Sequence, residues 1–387
     1  MSGNFLRWLP AVIVPAVVVA AVIAVPLQAG AAVDLPDKTP EQVLLLVNDS
    51  TVSTFSGTVA QSADLGLPSL DLGAGMNEVA PTGTSTGTST GTSTGSSTVA
   101  LTTALELLSG SHDFRVYAGG ENRFRVQVKD RMDERDVIHN GSDVWLYDSS
   151  SNAATHLRLP PDLSAAAAEK LAELPSQLPS DLSTPSQLAE RVLTELEPST
   201  TVSVGTDARV AGRSVYQLVL TPRTTDTLVA SVSIAVDAET GLPLQVTVLA
   251  VGQSTPAFQV GFTAIDFAAP EAALFDFVPP AGATVTEQAV PNLSGTVGEG
   301  GVDHSYDPSK AAGAVPIVTG TGWSSITEVP AAAVAAELGD NPMIDQLTTA
   351  VDGGRALKTS LLTVFLAGDG RVFAGAVPLA RLQAAAE

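Results

Sequence analysis

The chain has no cysteine in its 387 residues. That absence removes disulfides, thiolate nucleophiles, CxxC redox pairs, iron–sulfur clusters and lipidated cysteines together. Basic residues are also scarce: 19 Lys+Arg stand against 41 Asp+Glu, a formal charge of −22. Sequence-independent binding to nucleic acid needs Lys and Arg to neutralise phosphates, so no nucleic-acid partner is expected. A basic patch for anionic lipid head groups is disfavoured on the same ground. Aromatic residues make up 5% of the chain, and only four histidines occur, His112, His139, His156 and His304. None lies within helical or hairpin spacing of another, so no metal site is written locally, and each reads as a sheet-edge or loop residue. No P-loop or dinucleotide fingerprint is present, so no cofactor is expected. Three G-x-S-x-G matches, at Ser85, Ser89 and Ser93, fall inside a TGTS repeat. They lack the strand and helix flanks that a nucleophile elbow needs. Carboxylates are so abundant that pairing two of them as acid and base would be arbitrary. The chain reads as a non-enzyme with no catalytic residue.

The hydrophobic share, 44%, suits a folded protein, and the length suits about two domains. Residues 1–31 have the layout of a signal peptide. Arg7 precedes an apolar run from Trp8 to Leu27, and Ala29-Gly30-Ala31 supplies small residues for cleavage. The run is also close to the roughly 20 residues of a bilayer span, so an uncleaved amino-terminal anchor is the alternative. Either outcome places the remainder outside the cytoplasm, in the cell envelope or secreted.

Thr39-Pro40-Glu41-Gln42 reads as N-cap, N1 proline and capping-box glutamine, and predicts a helix to about Asn48. Val52–Ala60 reads as a strand. Thr82–Thr98 is a low-complexity Thr/Ser/Gly insert. Leu101–Ser109 reads as a short helix, and strands His112–Tyr117 and Asn122–Lys129 follow, joined through Gly119-Gly120. A hairpin through Asn140-Gly141 pairs Val137-Ile138 with Val144–Tyr147. The charged run Lys129–Asp136 reads as a solvated hairpin end. Pro160–Pro198 turns helical, with a second cap signature at Thr184-Pro185-Ser186-Gln187. Strands resume at Val202–Val204, Ser214–Leu220, Leu228–Val236, Leu244–Val251 and Ala257–Phe267. Residues 288–314 read as a linker. Residues 315–387 read as a small α+β module that docks on the larger domain, with a strand at Trp323–Val329, helices at Pro330–Leu338 and Met343–Val351, a hairpin of Lys358–Leu366 with Arg371–Val377, and a last helix.

The fold class expected is therefore α+β, with about ten or eleven antiparallel strands that share one apolar face. Helices at Pro40–Asn48 and Pro185–Leu196, with Asp162–Leu171, cover that face. In Asn122–Lys129, Arg123, Arg125 and Lys129 are assigned to water, because an unpaired buried charge costs several kcal/mol. Strict alternation then sends Phe124, Val126 and Val128 to the concave side, with Phe114 and Val116 from the preceding strand. Val232, Ile234, Phe258, Val260 and Phe262 complete the expected wall. Alternation does not separate a filled core from a hollow that accepts a lipid chain.

Three segments resemble a known family. Asn140–Asp148 (NGSDVWLYD) is similar to the dGk-x-[LV]-W-x-Y-d strand of the LolA-like superfamily. Ser233–Pro243 (SIAVDAETGLP) is similar to its later strand–turn–strand, and Phe275-x-Phe277-x-Pro279-Pro280-x-Gly282-x-x-Val285 to its F-x-F-x-P-P-x-G-x-x-V ending. The resemblance covers about Leu35–Glu287. It implies a half-open barrel with helices across its mouth and a hydrophobic cavity, and no catalytic residue. As partners it implies the acyl chains of a lipid or lipoprotein, as in LolA, or alternatively a membrane anti-sigma factor or other envelope protein, as in RseB-like regulators. The chain departs from the family in its Thr/Ser/Gly insert and its added tail, which resembles tails of actinobacterial LolA-like proteins.

Overall fold

A computed structural model describes residues 33–66, 110–130, 133–159, 193–194, 196–289, 316–331 and 346–387. The amino-terminal segment, the Thr/Ser/Gly insert, the helices expected at Leu101–Ser109 and Asp162–Leu171, most of Pro185–Leu196 and Pro330–Leu338, and nearly all of the linker lie outside these residues. Among the described residues no helix is long and apolar enough to cross a membrane.

Chain order begins with helix α1 (Pro40–Asn48) and strand β1 (Thr54–Ala63). Then come β2 (Gly110–Gly119), β3 (Arg123–Asp130), β4 (Asp133–Asn140), β5 (Asp143–Asp148) and β6 (Ala153–Arg158). A second run follows, β7 (Thr200–Val204), β8 (Ala208–Val210), β9 (Arg213–Pro222), β10 (Val229–Asp237), β11 (Pro243–Ala250) and β12 (Phe258–Asp266). After a 3-10 turn at Ala272–Phe275, β13 (Thr284–Ala289) ends this part of the chain. These strands form one curved sheet in the order β13-β6-β5-β4-β3-β2-β1-β12-β11-β10-β9-β7, with β8 paired to β9. Among the described residues the sheet has thirteen strands where ten or eleven were expected, and β13 and β7 at its two ends do not pair. One ladder is not antiparallel: β13 runs parallel to β6, from Thr284↔Ala153 to Ala289↔Arg158.

Local chemistry explains why the elements start and stop where they do. At α1 both halves of the capping box form: Gln42 N–H donates to Thr39 Oγ1 at 3.3 Å, and Thr39 N–H to Gln42 Oε1 at 3.0 Å. Such a cap contributes about 1 kcal/mol. The helix buries Val43 completely against Tyr216, Leu218 and Val236 on β9 and β10. The β4–β5 hairpin turns through Gly141-Ser142, one residue later than expected. Gly141 takes φ +65°, and Asn140 pairs with Asp143 across the turn. Asp237, fully buried, closes the β10–β11 turn by accepting at Oδ1 from the backbone N–H groups of Glu239 (3.0 Å) and Thr240 (2.8 Å).

Of the helices expected to cover the apolar face, α1 is the one described as packing on it. A second sheet supplies other cover. It contains β14 (Ile317–Thr319), β15 (Ile326–Val329), β16 (Thr349–Val351), β17 (Gly354–Lys358), β18 (Thr363–Ala367) and β19 (Val372–Gly375), in the order β14-β15-β19-β18-β17-β16. Helix α2 (Leu379–Ala386) follows. Its core is Ile326, Ala356, Phe365, Phe373, Val377 and Leu382. Two expectations for this module are corrected. Thr349–Val351, expected in a helix, is a strand because its register with Gly354–Lys358 closes a tight hairpin. Trp323, expected in a strand, sits in the 3-10 turn Gly322–Ser324.

Candidate functional site

Cross-strand register places the expected wall residues on one side of the sheet. Leu146, Val137, Val126 and Val116 form a continuous row across β5, β4, β3 and β2. The row reaches β1 at Gly57. A Cβ there would lie 2.7 Å from the Phe262 ring, so the glycine is what lets that ring lie across β1. A β-bulge between Thr58 and Val59 shifts the β1–β12 register and pairs Val59 with Phe262. Beyond the bulge a second row, Val260, Val246, Ile234, Leu218 and Val204, crosses β12, β11, β10, β9 and β7 and meets β1 at Gln61. A parallel row runs through Phe258, Val248, Val232 and Leu220.

Burial along these rows is graded. Phe114, Phe258 and Val260 belong to the buried cluster, with Val59, Val229, Val246, Val248 and Trp323. Val116, Val126, Val128, Val232, Ile234 and Phe262 are partly buried and pack against it. Phe124 does not join it. It is 40% exposed, at the same end of the sheet as Val137 (37%) and Leu146 (42%). The face is thus filled towards β9–β12 and open towards β3–β5. Val137 and Leu146 did not figure in the expected wall. Both lie equally far from the Gly141-Ser142 turn, so the hairpin register alone would have paired them.

The opposite face of β3–β6 corrects the expectation of a wet surface. Ile138 is fully buried there and Phe275 is 1% exposed, because the segment leading into β13 folds back over these strands. Phe277 packs on Trp145 and Tyr147, with ring centroids 5.4 and 5.5 Å apart. Arg125, assigned to water, is instead held in this layer. It donates to Asp136 Oδ2 at 2.6 Å and to the Leu274 carbonyl at 3.1 Å. Asp136, read as part of a solvated run, is 3% exposed. Burial raises the Asp136 pKa above its ordinary value even with Arg125 beside it. The charge did not need water because it found a partner one strand away.

His156 corrects the edge-or-loop reading in the same way. Strand β6 is flanked by β5 and β13, and the His156 side chain is 6% exposed. Nε2 lies 2.8 Å from Asp143 Oδ1, Nδ1 lies 2.9 Å from Glu287 Oε2, and the ring stacks on Trp145 at 4.1 Å. Burial pulls its pKa down, but hydrogen bonds to Glu287 and then Asp143 outweigh that and leave it raised. His112 and His139 lie in β2 and β4, and His304 lies outside the described residues. Among the described residues no group of three or more acidic, His or Cys side chains is placed to hold a metal ion.

Residues 97–287, which include β2–β12 and the first part of β13, match the family described as "Predicted periplasmic protein (DUF2092)". No curated protein matches the chain. Solved structures that it is similar to include LolA-superfamily proteins and MucB. The MucA/MucB complex of Pseudomonas aeruginosa matches at 14% identity and TM-score 0.40, over 89% of this chain and 96% of that one. A LolA-superfamily protein of Nitrosomonas europaea matches at 11% identity and TM-score 0.22, over 62% and 99%. An uncharacterized conserved protein of Thermus thermophilus matches at 11% identity and TM-score 0.33, over 64% and 98%. No residue role is carried over from these structures.

Proposed function

We propose that this chain, with its match to a predicted periplasmic family over residues 97–287, is a non-catalytic binding protein of the cell envelope. Its apolar sheet face holds acyl chains of a lipid or lipoprotein. The observation that carries this reading is the graded face itself. The apolar side of the sheet runs from a filled end at β9–β12 to the half-exposed Phe124 of β3, Val137 of β4 and Leu146 of β5. Contiguous exposed apolar residues mark binding surfaces more often than they mark idle ones. Residues 35–287 form the binding part, 288–314 the connection and 315–387 the appended module. The apolar segment in residues 1–31 delivers the chain to the envelope.

The test has two arms. Protein purified from cells is extracted with organic solvent for mass spectrometry, and the delipidated protein is titrated with a dansyl-labelled fatty acid. Acyl species in the extract and saturable probe binding are expected. Val126→Arg places a charge in the middle of the row and should abolish uptake. Lys129→Ala, at an exposed position on the opposite face of the same strand, should leave uptake unchanged. An extract free of acyl species together with no probe binding overturns the reading and leaves a protein partner in its place. Arg125→Ala is unsuitable as the control, because it strips the buried Asp136 of its ion pair.

A further inference from the structure

Three groups of the second sheet reach the apolar face of the first: Trp323, Leu361 and Ala376. Trp323 is 7% exposed and lies in the same cluster as Phe114, Val246, Phe258 and Val260. Its indole N–H donates to Thr200 Oγ1 at 2.8 Å, so its one polar atom is satisfied at the bottom of the contact. Trp323 takes no part in the second sheet's own core, which Phe365, Phe373 and Leu382 complete without it. Among the described residues the other ties include the Arg381–Asp226 ion pair at 3.7 Å and a few hydrogen bonds. The Ala376 carbonyl accepts from Leu228 N–H (2.8 Å) and Thr227 Oγ1 (2.9 Å), and Ser360 N–H donates to the Leu65 carbonyl (2.8 Å). The contact is therefore one aromatic wedge with a thin polar rim, joining two bodies that each keep a core.

We infer that the carboxy-terminal module is a built-in plug, in which Trp323 fills part of the face that takes acyl chains, and that cargo enters fully only when Trp323 withdraws. This rests on the ligand reading above and adds its regulation. An acyl chain and the indole offer the same apolar contacts to Val246, Phe258 and Val260, so the two compete for one surface. Affinity measured on the intact chain is then lowered by the fraction of molecules in which the module is docked.

The lock can be made covalent. A Cβ on Gly322 would stand 3.1 Å from the Ser199 Cβ, near the roughly 3.5–4.5 Å of a disulfide. The chain has no other cysteine to interfere. The full chain carrying Ser199→Cys and Gly322→Cys is titrated with the dansyl-labelled fatty acid, oxidised and then reduced, beside wild type and Trp323→Ala. A thermal melt of each form checks folding. Oxidation should weaken uptake by about tenfold, reduction should restore it, and Trp323→Ala should bind about tenfold more tightly than wild type. Uptake that ignores both the cross-link and Trp323→Ala overturns the plug while leaving the carrier reading intact. Failure of every form, Trp323→Ala included, to take up the probe overturns the carrier reading and the plug with it.

Discussion

His156 shows how one side chain ties a strand to a sheet through charge. Its imidazolium donates to Asp143 on β5 and to Glu287 on β13, so protonation ties β6 to its neighbours on both sides, the parallel strand among them. Because the folded pKa lies above the ordinary 6.5, the stabilisation is complete below that value. It is lost as pH rises through the raised folded pKa. Asp143 behaves oppositely. The hydrogen bond from His156 leads the causes that lower its pKa, so its contribution holds above 3.8 and fails only as pH falls through the still lower folded value. Between those limits the clamp is intact. Melting followed from pH 5.5 to pH 9 should show wild type losing more of its midpoint than His156→Gln over the upper half of that range. Parallel curves for the two proteins would show that the clamp adds nothing.

At the scale of elements, α1 is seated by the absence of a side chain opposite it. Gly241, at φ +74°, closes the β10–β11 turn, and a Cβ there would stand 1.9 Å from the Leu46 carbonyl oxygen. Gly212, at φ +79°, has nothing within 4 Å of such a Cβ. Both positions pay a positive-φ cost of about 1–2 kcal/mol when replaced by alanine. Gly241→Ala must also push α1 off Tyr216 and Val236. Urea unfolding should therefore find Gly241→Ala less stable than Gly212→Ala by about 2 kcal/mol or more. Equal losses would mean that the helix yields without cost. Local signals were legible in several of these elements. The Thr39–Gln42 capping box, the Leu379–Ala386 helix and most strands of β1–β12 follow from caps, turns and alternation, because those signals act between residues close in sequence.

For the whole molecule, charge is the dominant long-range term. A net charge of −22 repels itself most strongly in the compact state, and salt screens that repulsion over about 10 Å at 0.1 M. Raising NaCl from about 0.02 M to about 0.5 M should lift the melting midpoint by about 3 °C. A fall instead would show that ion pairs such as Arg213 with Asp237 and Glu239 outweigh the general repulsion.

The sequence alone determined the absence of thiol chemistry and which residues of β3 share an apolar face. Composition and period-2 alternation are properties of the chain itself, and a face once assigned in β3 carries to β2, β4 and β5 through their unbroken registers. It did not determine what lies against that face or its reverse. Arg125 looked solvent-bound because its partner Asp136 stands eleven residues away on β4. His156 looked peripheral because Glu287 comes from a parallel strand 131 residues on. Trp323 looked like part of a small module's own sheet because its partner Thr200 is 123 residues back. Each of these depends on which strands become neighbours, and that is decided by chain closure over long distances, to which no local spacing refers.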